Sequence, residues 1–303
     1  MTQTPPPAPA SEDLHRLEAD GVAAVVSLDG AELHSLVGAD GRELLWQAGP
    51  VWPRRAPVLF PIVGKLAGDR LLHRGASYRM TQHGFARDRR CEWAERGHAS
   101  CRLVLEDDAS TRQAYPFAFR FEVSYALADG ALRAVFSVTN TGTDVLPASV
   151  GAHPAFRWPL SEGMPKEAHR LEFEAPEPAP VRRLRDGLLD AAAEPTPVQG
   201  RELALSEALF ERDALILDRP ASRSVHYAAE DGTAIEVSWS GFAQLGLWSK
   251  PGGDFLCIEP WYGTASPVGF DGEFADKPGL MLLRPGERRS LEWRAKPRSG
   301  QGR

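Results

Sequence analysis

Apolar and polar residues alternate with a period of two along most of this chain, and the clearest stretch is Phe119-Arg120-Phe121-Glu122-Val123-Ser124-Tyr125. Phe119, Phe121, Val123 and Tyr125 share one face, and Arg120, Glu122 and Ser124 share the other. A two-residue repeat marks a strand with one face buried. Asp129-Gly130 follows, and Leu132 to Val138 alternates again. Asp-Gly supplies the positive φ that a two-residue turn needs, so the pair predicts a β-hairpin. Ser224 to Tyr227, Asp231-Gly232 and Ile235 to Trp239 predict a second one. Asp29-Gly30 and Asp40-Gly41 punctuate an N-terminal meander. Helical spacing is scarce. Arg201 to Phe210 predicts a short helix, with Leu205 and Leu209 one turn apart, and Asp108 to Ala114 predicts another turn or two. Many short strands joined by turns predict an all-β fold: a large antiparallel β-sandwich with a few short helices.

The ends depart from this rhythm. Residues 1–14 are rich in Pro, Ala and Thr and are expected to form a disordered tail, as are residues 298–303. Residues 15–297 are expected to form one β-sandwich domain, a size that all-β domains reach as a single unit. The Pro-rich segment 175–200 is expected to be a surface excursion within it, because the strand-like sequence on both sides does not change character.

Composition narrows the function. A net charge of -6 and the lack of any basic run argue against nucleic acid or an acidic membrane as partner. Three cysteines, Cys91, Cys101 and Cys257, are too few and too oddly numbered for a disulfide framework and fit a reducing compartment. The N-terminus has no charged start followed by an apolar segment, and no stretch is apolar for long enough to span a bilayer. A cytoplasmic protein is expected, as monomer or homodimer, with a small molecule as its partner.

Three segments stand apart from plain strand or loop sequence. They are Leu59-Phe60-Pro61-Ile62-Val63-Gly64-Lys65 with Gln82-His83-Gly84-Phe85-Ala86-Arg87-Asp88, then Gly151-Ala152-His153-Pro154-Ala155-Phe156, and Phe255-Leu256-Cys257-Ile258-Glu259-Pro260-Trp261-Tyr262-Gly263. Glu259 ends an apolar run; a carboxylate withdrawn from water becomes a stronger base near neutral pH. The plain alternative is a solvent-facing Glu at a strand end. Trp261 and Tyr262 offer flat apolar faces to the C–H side of a sugar ring. His153, between Gly151 and Pro154, sits in a constrained turn and titrates where a proton is both given and recovered; the plain alternative is a histidine bonded to local backbone. His83 is Gly-flanked in the same way. His226 lies on a strand face opposite Val225 and Tyr227, while His15, His34, His73, His98 and His169 sit in polar stretches and are expected to be exposed. His83, His153 and Glu259 are metal-ligand types, but no zinc-binding spacing supports a metal. Gly-x-Ser-x-Gly, Gly-x-Gly-x-x-Gly and Walker patterns are absent too, so no cofactor is expected.

These three segments resemble the aldose 1-epimerase (galactose mutarotase-like) family, most closely its bacterial branch with a Cys-Ile-Glu-Pro-Trp segment. Tyr115-Pro116-Phe117, Ser149 to Phe156 and Leu245-Gly246-Leu247-Trp248-Ser249 support the likeness, which runs from about Gly21 to Trp293. The resemblance implies a β-supersandwich and interconversion of the α and β anomers of a free aldohexose such as glucose or galactose. It implies Glu259 as general base, His153 as general acid, and the two facing each other across the ring. It further implies His83, Asp213, Lys65 and Trp261 as substrate-binding residues. Relatives usually carry arginine where Lys65 stands, and a lysine cannot make the same two-pronged contact. Two alternatives stand beside this expectation. One is a hexose-6-phosphate 1-epimerase, with Arg54, Arg55, Arg74 and Arg87 near the first segment as phosphate ligands. The other is a sugar-binding module without catalysis.

Overall fold

The computed structural model describes residues 13–298. Two large antiparallel sheets dominate it. One has nine strands, in the order Glu202–Ala204, His169–Phe173, Ser224–Ala229, Ala234–Ser240, Arg288–Arg298, Ala131–Asn140, Phe119–Ala128, Ser100–Glu106 and Glu92–Arg96. The other has eight, seven of them in the order Leu188–Glu194, Val181–Arg185, Leu215–Leu217, Gln244–Trp248, Phe255–Tyr262, Val150–Ala152 and Val58–Leu59; the eighth, Ala155–Arg157, pairs with Phe255–Tyr262 off that path. One continuous apolar core holds Phe121, Phe136, Tyr227 and Trp293 from the first sheet and Leu245, Leu247, Leu256 and Ile258 from the second. The sheets are therefore stacked face to face, as the alternation predicts. No helix among the described residues is long and apolar enough to cross a membrane.

The hairpins form where the Asp-Gly pairs place them. Phe119–Ala128 and Ala131–Asn140 pair with Ala128 opposite Ala131, across Asp129 and Gly130 at φ 54° and 67°. Ser224–Ala229 and Ala234–Ser240 form the second hairpin, and Leu14–Ala19, Val22–Ser27 and Leu33–Val37 form the N-terminal meander. Glu122 does lie on the polar face, yet it is buried, because Arg102 and Arg288 bond its carboxylate and their stems cover it.

Several expectations need correction. Leu14 already pairs with Ser27, the Asp13 carbonyl accepts the Leu28 N–H, and Arg298 ends a strand paired with Ala234, so the ordered body is wider at both ends than residues 15–297; residues 1–12 and 299–303 of the predicted tails lie outside the described residues. Segment 175–200 is not a bare excursion. It contains the antiparallel strands Val181–Arg185 and Leu188–Glu194 at the edge of the eight-stranded sheet. The helix expected over 201–210 is instead a strand, Glu202–Ala204, followed by a 3₁₀ turn, Glu207–Phe210. Leu203 and Leu205 alternate into the core, and that period-two burial outweighs a one-turn spacing resting on two leucines. The expectation for Asp108 to Ala114 holds as a single 3₁₀ turn, Thr111–Gln113. His169 is buried, with Nε2 accepting the Leu160 N–H and Nδ1 facing the Pro165 and Lys166 carbonyls. All three cysteines are free and buried.

Candidate active site

The strand Phe255–Tyr262 is buried on both faces, which explains its nearly unbroken apolar run. Leu256 and Ile258 enter the core between the sheets. Phe255, Cys257, Glu259 and Trp261 take the alternate positions, and Phe255, Cys257 and Trp261 pack in separate clusters on the outer face. Glu259 is thus in mid-strand rather than at a strand end, and it is only 1% exposed.

His153 reaches Glu259 through strand register. Val150–Ala152 pairs with one end of Phe255–Tyr262, Gly151 opposite Trp261. Ala155–Arg157 pairs with the other end, Ala155 opposite Cys257. Pairing breaks at His153-Pro154, and the shared register leaves His153 directly across from Glu259. Side chains opposite one another on one sheet face are in contact, and His153 Nε2 lies 3.3 Å from Glu259 Oε2. His153 and Glu259 therefore stand side by side, not on opposite walls. Trp52 stacks on the His153 ring at 5.1 Å and Trp248 meets it edge-on at 5.7 Å.

Trp261 is held by two glycines on neighbouring strands. A Cβ at Gly246 would stand 2.4 Å from the indole ring, and one at Gly151 would stand 2.8 Å from it. The ring fills the space their missing side chains leave, and its Nε1–H bonds Glu259 Oε2 at 3.2 Å. His83 is pinned through Gly64. The His83 N–H donates to the Gly64 carbonyl, and the Gly64 N–H donates to His83 Nδ1 at 3.2 Å. Nδ1 is then an acceptor, and Nε2 lies 3.3 Å from the side-chain amide nitrogen of Gln82. His83 has φ 66°, as does Asp213, and backbone strain of this kind gathers at binding sites.

These residues line a cavity of about 240 Å³ with Trp52, Val63, Gln82, Arg87, Leu184 and Trp248. Of the six residues named from the sequence, Glu259, His153, His83, Asp213 and Trp261 meet there. Lys65 does not. Its stem packs over Gly187 at the tip of the edge hairpin and its Nζ is 3.9 Å from Asp69 Oδ1. Sequence reasoning missed Trp52 and gave Arg87 only a phosphate role. The one available signal for Trp52 was a tryptophan inside a Pro- and Arg-rich loop.

Burial governs the electrostatics. It holds the Glu259 carboxyl well above the ordinary carboxylate range; the Trp261 bond pulls the other way and the Asp213 charge adds a smaller upward push. Burial, with help from the Arg87 charge, pulls His153 down to about 3 and His83 well below its usual value. Burial disfavours the charged form of both partners, and so favours a carboxylic acid beside a neutral imidazole over the ion pair. Cys257 also lies beside the pair: its sulfur and the His153 and Glu259 donor atoms fall within 4.8 Å of one another. Those three could hold a soft divalent ion. An ion there would displace any proton between His153 and Glu259, and the Cys257 thiol, pushed well above its usual value by burial, would have to ionise.

A family model described as aldose 1-epimerase matches residues 13–295. The chain is similar to a galactose mutarotase related enzyme from Lactobacillus acidophilus, with 34% identity, a TM-score of 0.89, and coverage of 95% of this chain and 98% of that one. It is also similar to a galactose mutarotase-like protein from Lactobacillus casei, at 28% identity and a TM-score of 0.87, covering 94% of this chain and 100% of the other. Protein LacX of Lactococcus lactis subsp. lactis is 34% identical over 269 residues, which are 84% of this chain and 90% of LacX.

Proposed function

The chain belongs to the aldose 1-epimerase family, and within it we propose that this protein interconverts the α and β anomers of a free aldohexose such as glucose or galactose. The observation that carries this reading is the 3.3 Å approach of His153 Nε2 to Glu259 Oε2 at the wall of a cavity of about 240 Å³. That volume lies below the ~300–1,000 Å³ of sites for drug-sized ligands and suits a single sugar ring.

Ring opening removes the proton from O1, breaks the C1–O5 bond and adds a proton to O5. O1 and O5 are bonded to the same carbon, so the base and the acid must be near neighbours, as a cross-strand pair is. Glu259 takes the O1 proton and His153 gives one to O5. The pair begins as carboxylate and imidazolium and ends as carboxylic acid and imidazole. Burial favours that second state, so the pocket stabilises the protonation that accompanies the open-chain aldehyde. Rotation about C1–C2 followed by the reverse transfers yields the other anomer. Each positioned proton transfer contributes about 10²- to 10⁴-fold. His83 hydrogen-bonds a sugar oxygen, and the Trp261 face packs against ring C–H groups.

The phosphorylated alternative loses most of its support. Of the four arginines near the first segment, only Arg87 lines the cavity. Arg74 is on the surface with Asp144, and Arg54 is engaged by Asp88. Polarimetry on freshly dissolved α-glucose, α-galactose and glucose 6-phosphate tests this. The expected result is enzyme-dependent exchange of the free sugars, with the 6-phosphate at least about tenfold slower in kcat/KM. A faster 6-phosphate would replace the substrate, and sugar binding without any exchange would leave a non-catalytic module.

A further inference from the structure

Arg87 has donors to spare inside the cavity. Its side chain is 17% exposed and it lines the same wall as His83 and Gln82. A guanidinium offers five N–H donors. Here Nη2 donates to the Gln82 carbonyl at 2.7 Å. Nε is buried and has no partner among the described residues, and Asp88 Oδ2, at 3.8 Å, is beyond hydrogen-bond reach. Asp88 is itself engaged by Arg54 Nη2 at 2.7 Å. Buried donors of this kind are almost always met by something. Meanwhile Lys65, the cation expected to hold the sugar, is drawn off to Asp69 and Gly187.

We propose that Arg87 is the specificity-determining cation of this pocket, its unmet N–H groups binding hydroxyls of the neutral sugar ring in place of Lys65. The 3₁₀ turn Ala86–Asp88 turns the chain back just after His83, so the guanidinium and the imidazole approach the ligand from one loop. A rigid, planar donor fork suits two oxygens of a sugar better than an ammonium does. Charge-assisted hydrogen bonds to a ligand in a partly buried site are worth roughly 10- to 100-fold in affinity.

This inference rests on the sugar-binding part of the proposed function but not on turnover, so its test reads binding and catalysis separately. Trp52, Trp248 and Trp261 line the cavity, and their fluorescence reports binding of glucose or galactose directly. Arg87→Met and Arg87→Lys are expected to weaken binding and raise KM by about 10- to 100-fold, with a much smaller change in kcat. Lys65→Met is expected to stay within about twofold of the wild type. A panel of 2-, 3-, 4- and 6-deoxy sugars then distinguishes a ligand contact from a structural role. At least one deoxy sugar should bind the wild type more weakly than its parent but bind Arg87→Met no worse than its parent does. Equal losses in both proteins across the whole panel would overturn the proposal. So would unchanged binding in Arg87→Met, or a loss of binding in Lys65→Met. Glucuronate tests the remaining option. If it binds more tightly than glucose, and only when Arg87 is present, the site takes an anion and the hydroxyl assignment is wrong. Absence of exchange in a wild type that still shows Arg87-dependent binding would instead count against the mutarotase reading alone.

Discussion

Glu259→Gln is expected to fold, to melt above the wild type at pH 8, and to lose anomer exchange by about 10³-fold or more. The two halves of this result have one cause. Burial places the carboxyl of Glu259 well above its ordinary value of 4.5. A group with a raised folded value contributes stability that is whole below the unfolded value and is lost as pH rises through the folded one. Each pH unit in that window costs the wild type about 1.4 kcal/mol. Glutamine keeps the shape and an oxygen for the Trp261 N–H, but it does not ionise, so its advantage grows with pH and vanishes near pH 4. It also cannot accept the O1 proton. Thermal melts at pH 4.5 and 8, paired with polarimetry, read both effects. Exchange at the wild-type rate, or a melting difference independent of pH, would remove Glu259 from the assigned role.

Gly246→Ala is expected to lose stability by about 1–3 kcal/mol and to slow exchange by tenfold or more without altering either proton-transfer group. Glycine in a strand interior ordinarily weakens it, so alanine would stabilise by roughly 0.5–1 kcal/mol if nothing stood in the way. Here the new methyl would stand 2.4 Å from the Trp261 ring, and the ring cannot keep its place. When it shifts, the bond from Nε1 to Glu259 breaks and the C–H platform tilts. Because phenylalanine is smaller, the double variant Gly246→Ala/Trp261→Phe should lose less stability than the sum of the two single changes. Urea melts of the four proteins give the coupling. Strict additivity, or a stabilised Gly246→Ala, would show that the ring is not seated as described.

The sandwich was legible because its strands alternate and its hairpins close on Asp-Gly, which are local signals. The strands Val181–Arg185 and Leu188–Glu194 were not legible. They form a sheet edge with little buried apolar surface, and Pro-rich sequence surrounds them. Glu259 looked like a strand end because Pro260 follows it. Proline gives up a ladder donor, yet this strand continues through Pro260 to Tyr262 with Pro260 opposite Leu245. The residue types of the site could be picked out one by one, and the family resemblance supplied their roles. What no local pattern holds is register. Only the pairing of Gly151 with Trp261 and of Ala155 with Cys257 sets His153 beside Glu259 rather than across a pocket from it. That Arg87 lines the cavity and Lys65 does not was hidden for a similar reason, since it depends on how the chain turns after Gly64 and His83.

That this buried pair works with a single proton between its two members is tested most directly by magnetisation exchange between the α and β H1 resonances of galactose at equilibrium, with wild-type enzyme, from pH 4 to pH 10. His153 resists a second proton until about pH 3, so enzymatic exchange should persist to the acid end of this range. It should fall on the alkaline side, where Glu259 gives up the pair's only proton. Exchange no faster than in buffer at every pH, or a rate that collapses below pH 6 as a freely titrating histidine would dictate, contradicts the account.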